Sequence, residues 1–191
     1  MTLKQLIQEC LYRIDEEIQD FKNVTDKEQI IINKLKTSIN YIYKKLAREK
    51  KIFLTSQKVK LENNIFNTEY LMNTFVQIKR VVGSHNEPLQ YKDVGDGEIE
   101  VKTRDTDVTV YYYYQPEALE GMSDETEFPP RIDEMILVYY AAMDYLNMEG
   151  ENEEMVKAQL QLNLFNDAYE NIKTGATYEK IFDNYGGDYI D

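Results

Sequence analysis

The feature that most constrains the fold of this chain is a change in the spacing of its apolar residues. Residues 3–21 and 26–51 repeat apolar side chains at i, i+3 and i+4, which gives a helix one apolar face. The stretch of about 55–116 instead alternates apolar and polar residues, as strands with one buried face do. Helical spacing returns from Ile132 to about Lys173. The sequence therefore predicts a mainly α, α+β fold, in which an N-terminal and a C-terminal helix pair form a bundle with an inserted antiparallel β-module of three to five strands.

Local signals predict where these helices begin. Thr2 can cap the first helix, and Thr25 followed three residues later by Glu28 is a capping box for the second. The Phe-Pro-Pro run at 128–130 is suited to opening the third helix, because proline is tolerated in a first turn. Gly150 separates the third helix from a fourth. The fourth helix is predicted to turn one apolar stripe inward: Met155, Ala158, Leu162, Phe165, Tyr169 and Ile172.

Charge is unevenly distributed along the chain. The net charge is −13, with 13 Lys+Arg against 8 Asp+Glu in residues 1–60 and 9 against 27 in residues 61–191. An acidic body argues against non-specific DNA binding, because phosphate contacts depend on Lys and Arg. No run approaches the ~20 apolar residues that cross a bilayer, and acidic residues stand where a signal peptide needs an apolar core. We therefore expect a soluble protein made in a cytosol, with no membrane contact.

Residue types that carry chemistry are scarce. Cys10 is the single cysteine, which excludes an internal disulfide and a cysteine-based zinc site, and its place on the first helical stripe predicts a core residue. His85 is the single histidine and falls in a predicted turn. Phosphate-loop, dinucleotide, zinc-protease and nucleophile-elbow motifs do not occur in the sequence. We expect no enzyme activity, no cofactor and no metal.

Clusters of acidic residues leave an alternative open. The pair Asp105 and Asp107 and the groups at 124–127 and 151–154 could supply a carboxylate hydrolase or a divalent-metal site. The Gly-Asp-Gly run at 95–97 lacks the lysine and helix of a phosphate loop and predicts a hairpin turn instead. Solvated loops in an acidic protein are the simpler interpretation of these clusters.

Four consecutive tyrosines, Tyr111, Tyr112, Tyr113 and Tyr114, form the most unusual run. In a strand, Tyr111 and Tyr113 face one side while Tyr112 and Tyr114 face the other. Packing inside the chain explains one side, and a neighbouring subunit would explain the other, since tyrosine is enriched at interfaces. We therefore predict a subunit interface at this strand, with an amphipathic surface strand as the alternative.

The C-terminal part carries more apolar side chains than it can bury alone. Leu160 and Leu164 lie off the inward stripe of the fourth helix, which gives that helix a second apolar face and predicts a further subunit contact. Residues 175–191 are broken by glycine yet rich in aromatic side chains. We divide the chain into a domain of residues 1–174 and a docking tail of residues 175–191, whose predicted anchors are Tyr178, Ile181, Phe182, Tyr185, Tyr189 and Ile190.

Several segments, taken in order, carry a family resemblance. They are the opening Met1-Thr2-Leu3-x-x-Leu6-Ile7, the helix at 39–47, the Val-Thr-Val-Tyr-Tyr-Tyr-Tyr-Gln-Pro-x-x-Leu strand at 108–119, the Phe-Pro-Pro loop before the helix at 132–142, and the final helix at 158–169. In this order the chain resembles the head–tail adaptor (connector) family of tailed bacteriophages. The resemblance covers about residues 1–172. It lies in the order of these segments and in their general residue pattern.

The resemblance implies a structural ring subunit, commonly one of twelve copies, docked beneath the portal protein at the neck of the virion. Such a ring extends the DNA channel, encloses double-stranded DNA without binding it specifically, and offers a platform for a tail or stopper protein. In related adaptors a C-terminal segment docks onto the portal, which implies that role for the anchors of residues 175–191. A tail-completion or stopper protein of the same neck is an alternative, and so is a non-viral α+β interaction module.

Overall fold

The computed structural model describes residues 1–149 and 152–173 and has an α+β fold. The chain divides into two compact units. One consists of Met1–Leu46 with Glu117–Asp191, and the other of Ala47–Pro116. Within the described residues, every helix is too short or too polar to cross a membrane.

The first unit is helical and is built from α1 (Leu3–Arg13), α2 (Asp26–Lys50, whose last turn belongs to the second unit), α3 (Met135–Glu149) and α4 (Asn152–Asn171). α3 packs against both α1 and α4. The core of this unit contains fully buried side chains from the first three helices: Leu3, Leu6, Ile7, Cys10, Leu35, Ile39, Ile42, Ile136 and Leu137. Cys10 is therefore a core residue, as its position in the helical stripe predicts.

The capping signals are confirmed at both N-terminal helices. The Thr2 side chain accepts a hydrogen bond from the Gln5 N–H, and the Thr2 N–H donates to Gln5 Oε1 at 2.8 Å. At α2 the Thr25 N–H donates to Glu28 Oε2 at 2.6 Å, and the Glu28 N–H donates back to Thr25 Oγ1 at 3.3 Å. Each pair satisfies N–H groups that have no partner inside their helix.

The first helix is shorter than its apolar spacing predicts. α1 ends at Arg13, and the Ile14 N–H closes it by donating to the carbonyls of Cys10 and Leu11. Asp15 then adopts a left-handed conformation with φ 57°, which an α-helix cannot continue through. Ile14 and Ile18 are nevertheless buried, so the apolar stripe beyond Arg13 packs as irregular chain.

The predictions for the two C-terminal helices need two corrections. The prolines at 129–130 do not lie in the first turn of α3, which begins at Met135. The Asp133 carboxylate accepts from the Met135 N–H at 2.9 Å and supplies the polar contact at that end. Met155 does not belong to the inward stripe of α4, because half of its surface is exposed. Gln161 is buried there in addition to Ala158, Phe165 and Ile172.

The second unit contains seven strands rather than three to five, all paired antiparallel. They are β1 (Leu54–Lys60), β2 (Ile65–Asn67), β3 (Thr74–Val82), β4 (Pro88–Leu89), β5 (Tyr91–Gly95), β6 (Glu98–Val101) and β7 (Asp107–Gln115). One sheet has the order β1-β7-β3-β4 and the other the order β2-β6-β5. A short 3₁₀ turn at Thr68–Tyr70 follows β2.

The predicted hairpin turn joins β5 to β6. Asp96 and Gly97 both have positive φ, 52° and 76°, which is the geometry of the two central residues of a type I′ turn. The twist of this turn matches that of the two flanking strands. The run at 95–97 is thus a turn between two strands, as expected.

Candidate interaction surfaces on the sheet and on α4

The four-tyrosine run lies on β7, an inner strand of the four-stranded sheet. Tyr112 lies with Val108 and Val110 in the core of this unit, and Tyr114 packs against the same cluster. Tyr111 and Tyr113 lie on the opposite side, as strand alternation predicts. Tyr112 and Tyr113 are only 1% and 3% exposed, so the chain itself covers them. Tyr111 and Tyr114 are half-buried and retain surface that another molecule can contact.

Two β-bulges in β3 decide which side chains face the core. The register shifts between Phe75 and Gln77 and again between Ile78 and Arg80, so each shift adds one unpaired residue. Phe75, Ile78 and Val81 consequently all contact the buried cluster although they are three residues apart. In a regular strand such spacing would place them on alternating sides.

The second bulge also brings two consecutive cations to the side of the sheet opposite the core. The Lys79 ammonium lies 5.8 Å from the ring centroid of Tyr113, and the Arg80 guanidinium lies 4.3 Å from that of Tyr111. Both distances are within the range of a cation–π attraction. The bulge therefore adds positive charge beside the tyrosines of β7.

Strand β1 extends this surface. Residues that pair directly across two strands share a side of the sheet, so Leu54, Ser56, Lys58 and Lys60 lie on the side of Tyr111 and Tyr113. All four of these β1 side chains are exposed, and Asp107 lies opposite Lys60. We call the solvent-exposed part of this side the Tyr111 face, defined by Leu54, Ser56, Lys58, Lys60, Arg80 and Tyr111. It combines apolar surface with local positive charge in an acidic protein.

A second surface runs along α4. Val156 and Leu160 are 72% and 57% exposed, and Leu164, one turn further, is half-buried. Their spacing of four residues aligns them on one side of the helix, away from the buried Ala158 and Phe165. We call Val156, Leu160 and Leu164 the outer strip of α4. The predicted second apolar face of this helix is present, and Val156 extends it.

A loop of the β-unit presents two further apolar side chains. Tyr70 and Met72 are largely exposed, and the Gln57 amide holds the backbone between them. Gln57 Nε2 donates to the Tyr70 carbonyl at 3.1 Å, and Gln57 Oε1 accepts from the Met72 N–H at 2.8 Å. A groove of about 420 Å³ beside the loop, lined by residues 68–69 and 71–75, is open to solvent. It lacks the enclosure that is typical of small-molecule sites.

The acidic loop before α3 is pinned to the helical unit rather than simply solvated. The Asp124 carboxylate accepts from the N–H groups of Gly121 and Glu120, both at 2.8 Å, and these hydrogen bonds lower the pKa of Asp124. The Glu127 N–H donates to Tyr43 Oη at 2.7 Å. The amino group of Met1 forms an ion pair with Glu134. Sequence reasoning missed the contacts of Tyr43 and Met1, because they join α2 and the N-terminus to residues more than 80 positions away.

Cys10, His85 and Asp105, three of the residues weighed for chemistry, lie in a helix core, in a turn and beside that turn. Burial raises the pKa of the Cys10 thiol, which therefore stays protonated and unreactive. His85 is exposed in a turn, where Ser84 Oγ lies 3.1 Å from its Nδ1. Among residues 1–149 and 152–173, no three His, Cys, Asp or Glu side chains converge as a metal site would require. The Asp105 carboxylate accepts a hydrogen bond from the Ser84 N–H at 2.8 Å and so stabilises the turn that contains Ser84.

The predicted tail anchors Tyr178, Ile181, Phe182, Tyr185, Tyr189 and Ile190 lie outside the described residues. Their assignment to portal docking stays a prediction.

No protein-family model matches the chain, and no curated protein matches its sequence.

Proposed function

We propose that this chain is a head–tail adaptor subunit of a tailed bacteriophage. It assembles into a ring on the portal protein, extends the DNA channel and offers a platform for the tail. The order of elements supports this proposal, because two helices, a β-unit and two further helices follow one another as in the family that the sequence resembles. In the proposed subunit the four helices form one bundle, the β-module is inserted into it, and residues 175–191 extend from it as a tail.

The observation that carries the proposal is the outer strip of α4. A helix that packs on one side of a solitary globular protein normally exposes a polar opposite side. α4 instead buries Ala158 and Phe165 on one side and exposes Val156 and Leu160 on the other. Exposed apolar rows of this kind are typical of protein interfaces. In the proposed ring, a neighbouring subunit buries this second apolar row.

The charge supports a passage for DNA. Residues 117–191 hold 18 Asp+Glu against 4 Lys+Arg, whereas residues 47–116 hold 10 of each. Repeated around a ring, an excess of carboxylates repels the phosphates of double-stranded DNA. A channel lined in this way lets the genome pass without adhering to it.

The portal and the tail or stopper protein are the partners in this proposal, and the neck of the virion is the location. The aromatic anchors of residues 175–191 dock onto the portal. Catalysis has no part in the role, since an adaptor acts by filling space between two rings.

A binding experiment with the portal protein from the same genome tests the proposal. The full chain is expected to sediment with assembled portal rings, and a chain that ends at residue 174 is expected to lose this binding. Replacing Tyr178 and Phe182 by alanine should weaken binding strongly, while Lys180→Ala, which changes the same segment without removing an aromatic anchor, should not. Equal binding by the full and the truncated chain would count against tail docking, and no binding by either would overturn the adaptor role. A stopper protein would instead bind only after an adaptor ring is present.

A further inference from the structure

The Tyr111 face and the outer strip of α4 have similar lengths, both carry apolar side chains, and are flanked by opposite charges. We infer that the Tyr111 face of one copy receives the outer strip of α4 from a second copy, so that identical chains join head to tail. This inference rests on the ring proposed above and names the contact that builds it. It also combines the two sets of interface residues that the sequence predicts separately.

The two surfaces match in length. The six steps of β1 from Leu54 to Lys60 extend about 20 Å at ~3.3 Å per residue. The fourteen steps of α4 from Glu153 to Asp167 extend about 21 Å at ~1.5 Å per residue. A helix laid along the strand therefore covers the whole face, and a helix on a sheet is a standard way to bury an apolar row.

The apolar groups on the two surfaces correspond. Leu54 is exposed and Tyr111 half-buried on the sheet, and Val156 and Leu160 are exposed on the helix. Tyr111 offers a flat ring that loses few rotatable bonds on contact, a property that favours tyrosine at interfaces. Contact between the surfaces removes apolar area of both from water.

The charges are opposite. Lys58, Lys60 and Arg80 are exposed on the sheet, and Glu153, Asp167 and Glu170 are exposed on α4. Glu153 already lies 3.5 Å from Lys157 of its own helix, so the contact adds a second cation to an existing pair. Because the excess negative charge of the chain lies in residues 117–191, a second copy supplies the anionic partner. Duplex DNA fits less well, since a net charge of −13 repels phosphate.

The contact joins two different surfaces, so an assembly built from it has a direction. The sheet of one copy meets the helix of the next, so each copy keeps one unused surface of each kind until the assembly closes. Such heterologous contacts generate rings when the rotation between copies closes. This is the property that an adaptor ring needs.

Crosslinking between two single-cysteine variants tests the contact. Ser56→Cys places a thiol on the Tyr111 face, and Asn163→Cys places one on the exposed side of α4, while native Cys10 is buried and does not compete. A mixture of the two at about 1 mM, where even a contact of millimolar Kd is well populated, is treated with a short bismaleimide. We expect covalent dimers at several times the yield of a control mixture of Ser56→Cys with Gln8→Cys, which lies exposed on α1.

Charge reversal tests the electrostatic part. Lys58→Glu, Lys60→Glu and Arg80→Glu, added to the Ser56→Cys chain, should lower the crosslinking yield several-fold, as should raising the salt to about 1 M. Equal yields from the test and control mixtures would overturn the inference. So would binding of labelled duplex DNA that these three changes abolish, because it would assign the face to phosphate. Crosslinking without portal binding would support this contact and reject the adaptor role. Portal binding without crosslinking would support the adaptor role and reject this contact.

Discussion

The guanidinium of Arg80 lies 4.3 Å from the ring centroid of Tyr111, because a β-bulge between Ile78 and Arg80 shifts the register of β3 on β7. This pair links the fold to the proposed function. The bulge keeps Ile78 and Val81 in the core and brings Lys79 and Arg80 to the Tyr111 side of the sheet. The inserted residue, Lys79, thus adds a second cation beside Arg80 on that side of the sheet.

Replacing Arg80 by glutamine should lower the free energy of unfolding by about 0.5–1 kcal/mol, the usual contribution of an exposed cation–π pair. Urea denaturation followed by circular dichroism measures the change. Lys58→Gln removes an equal charge from the same face at a position that pairs across to Thr109 rather than to a tyrosine, and serves as the control. Equal losses in the two variants would show that the ring contact contributes nothing beyond charge.

Deleting Lys79 should be tolerated better than a deletion in a regular strand. Without it, Ile78 still pairs with Tyr112 and Arg80 with Tyr111 in a regular ladder, so the buried residues keep their side. Deleting Val110 from β7 shifts every later residue to the wrong side and should abolish cooperative unfolding. Thermal unfolding of both variants measures this difference. A Lys79 deletion that destabilises as much as the Val110 deletion would contradict the described register.

Cys10 should resist thiol reagents in the folded protein. It is fully buried, and burial raises its pKa, so neither access nor a thiolate is available. Labelling of Cys10 with a chromogenic disulfide reagent should proceed only at the rate at which the surrounding structure opens or the protein unfolds. It should become rapid in urea. Ser56→Cys, which is exposed on β1, supplies the comparison for a freely reacting thiol. Immediate labelling of Cys10 under native conditions would contradict the packing of α1.

The acidic loop should make stability depend on pH. Hydrogen bonds from the Gly121 and Glu120 N–H groups lower the pKa of Asp124 in the folded state from its ordinary 3.8. The ionised Asp124 carboxylate therefore contributes fully to the free energy of unfolding above pH 3.8, and this contribution is lost as the pH falls through the lower folded pKa. Asp124→Asn should lower stability at pH 7 and flatten the loss of stability between about pH 5 and pH 2. Glu125→Gln, in the same loop, is the control, and identical pH profiles for wild type and Asp124→Asn would refute this account.

The sequence predicts those features that depend on neighbouring residues. The capping box of Thr25 and Glu28, the hairpin turn at 95–97 and the burial of Cys10 are each specified within a few residues, and all three are confirmed. The α+β class follows from spacing in the same way. Local patterns therefore give the element types and many of the boundaries.

Features that depend on distant residues were missed or wrong. Phe75, Ile78 and Val81 have a spacing of three, which does not identify bulges unless the partner strand is known. All five residues of β5 are exposed, so alternation cannot reveal that strand. The predicted first helix was too long, because the apolar spacing continues to Phe21 and the turn at Asp15 leaves no apolar signal. The tyrosine interface was predicted without knowing that Tyr112 and Tyr113 are covered by the chain itself.

Mass measurement of portal rings saturated with this chain tests the adaptor role most directly. Each bound copy adds 22.6 kDa, so single-particle mass photometry can count the copies on a ring. The account predicts a single saturated species with a fixed number of added copies, about twelve, and little of the partly filled forms, since neighbours on the ring bind one another. Portal rings whose mass stays unchanged at saturating protein, or rises through random occupancy with no preferred number, would contradict it.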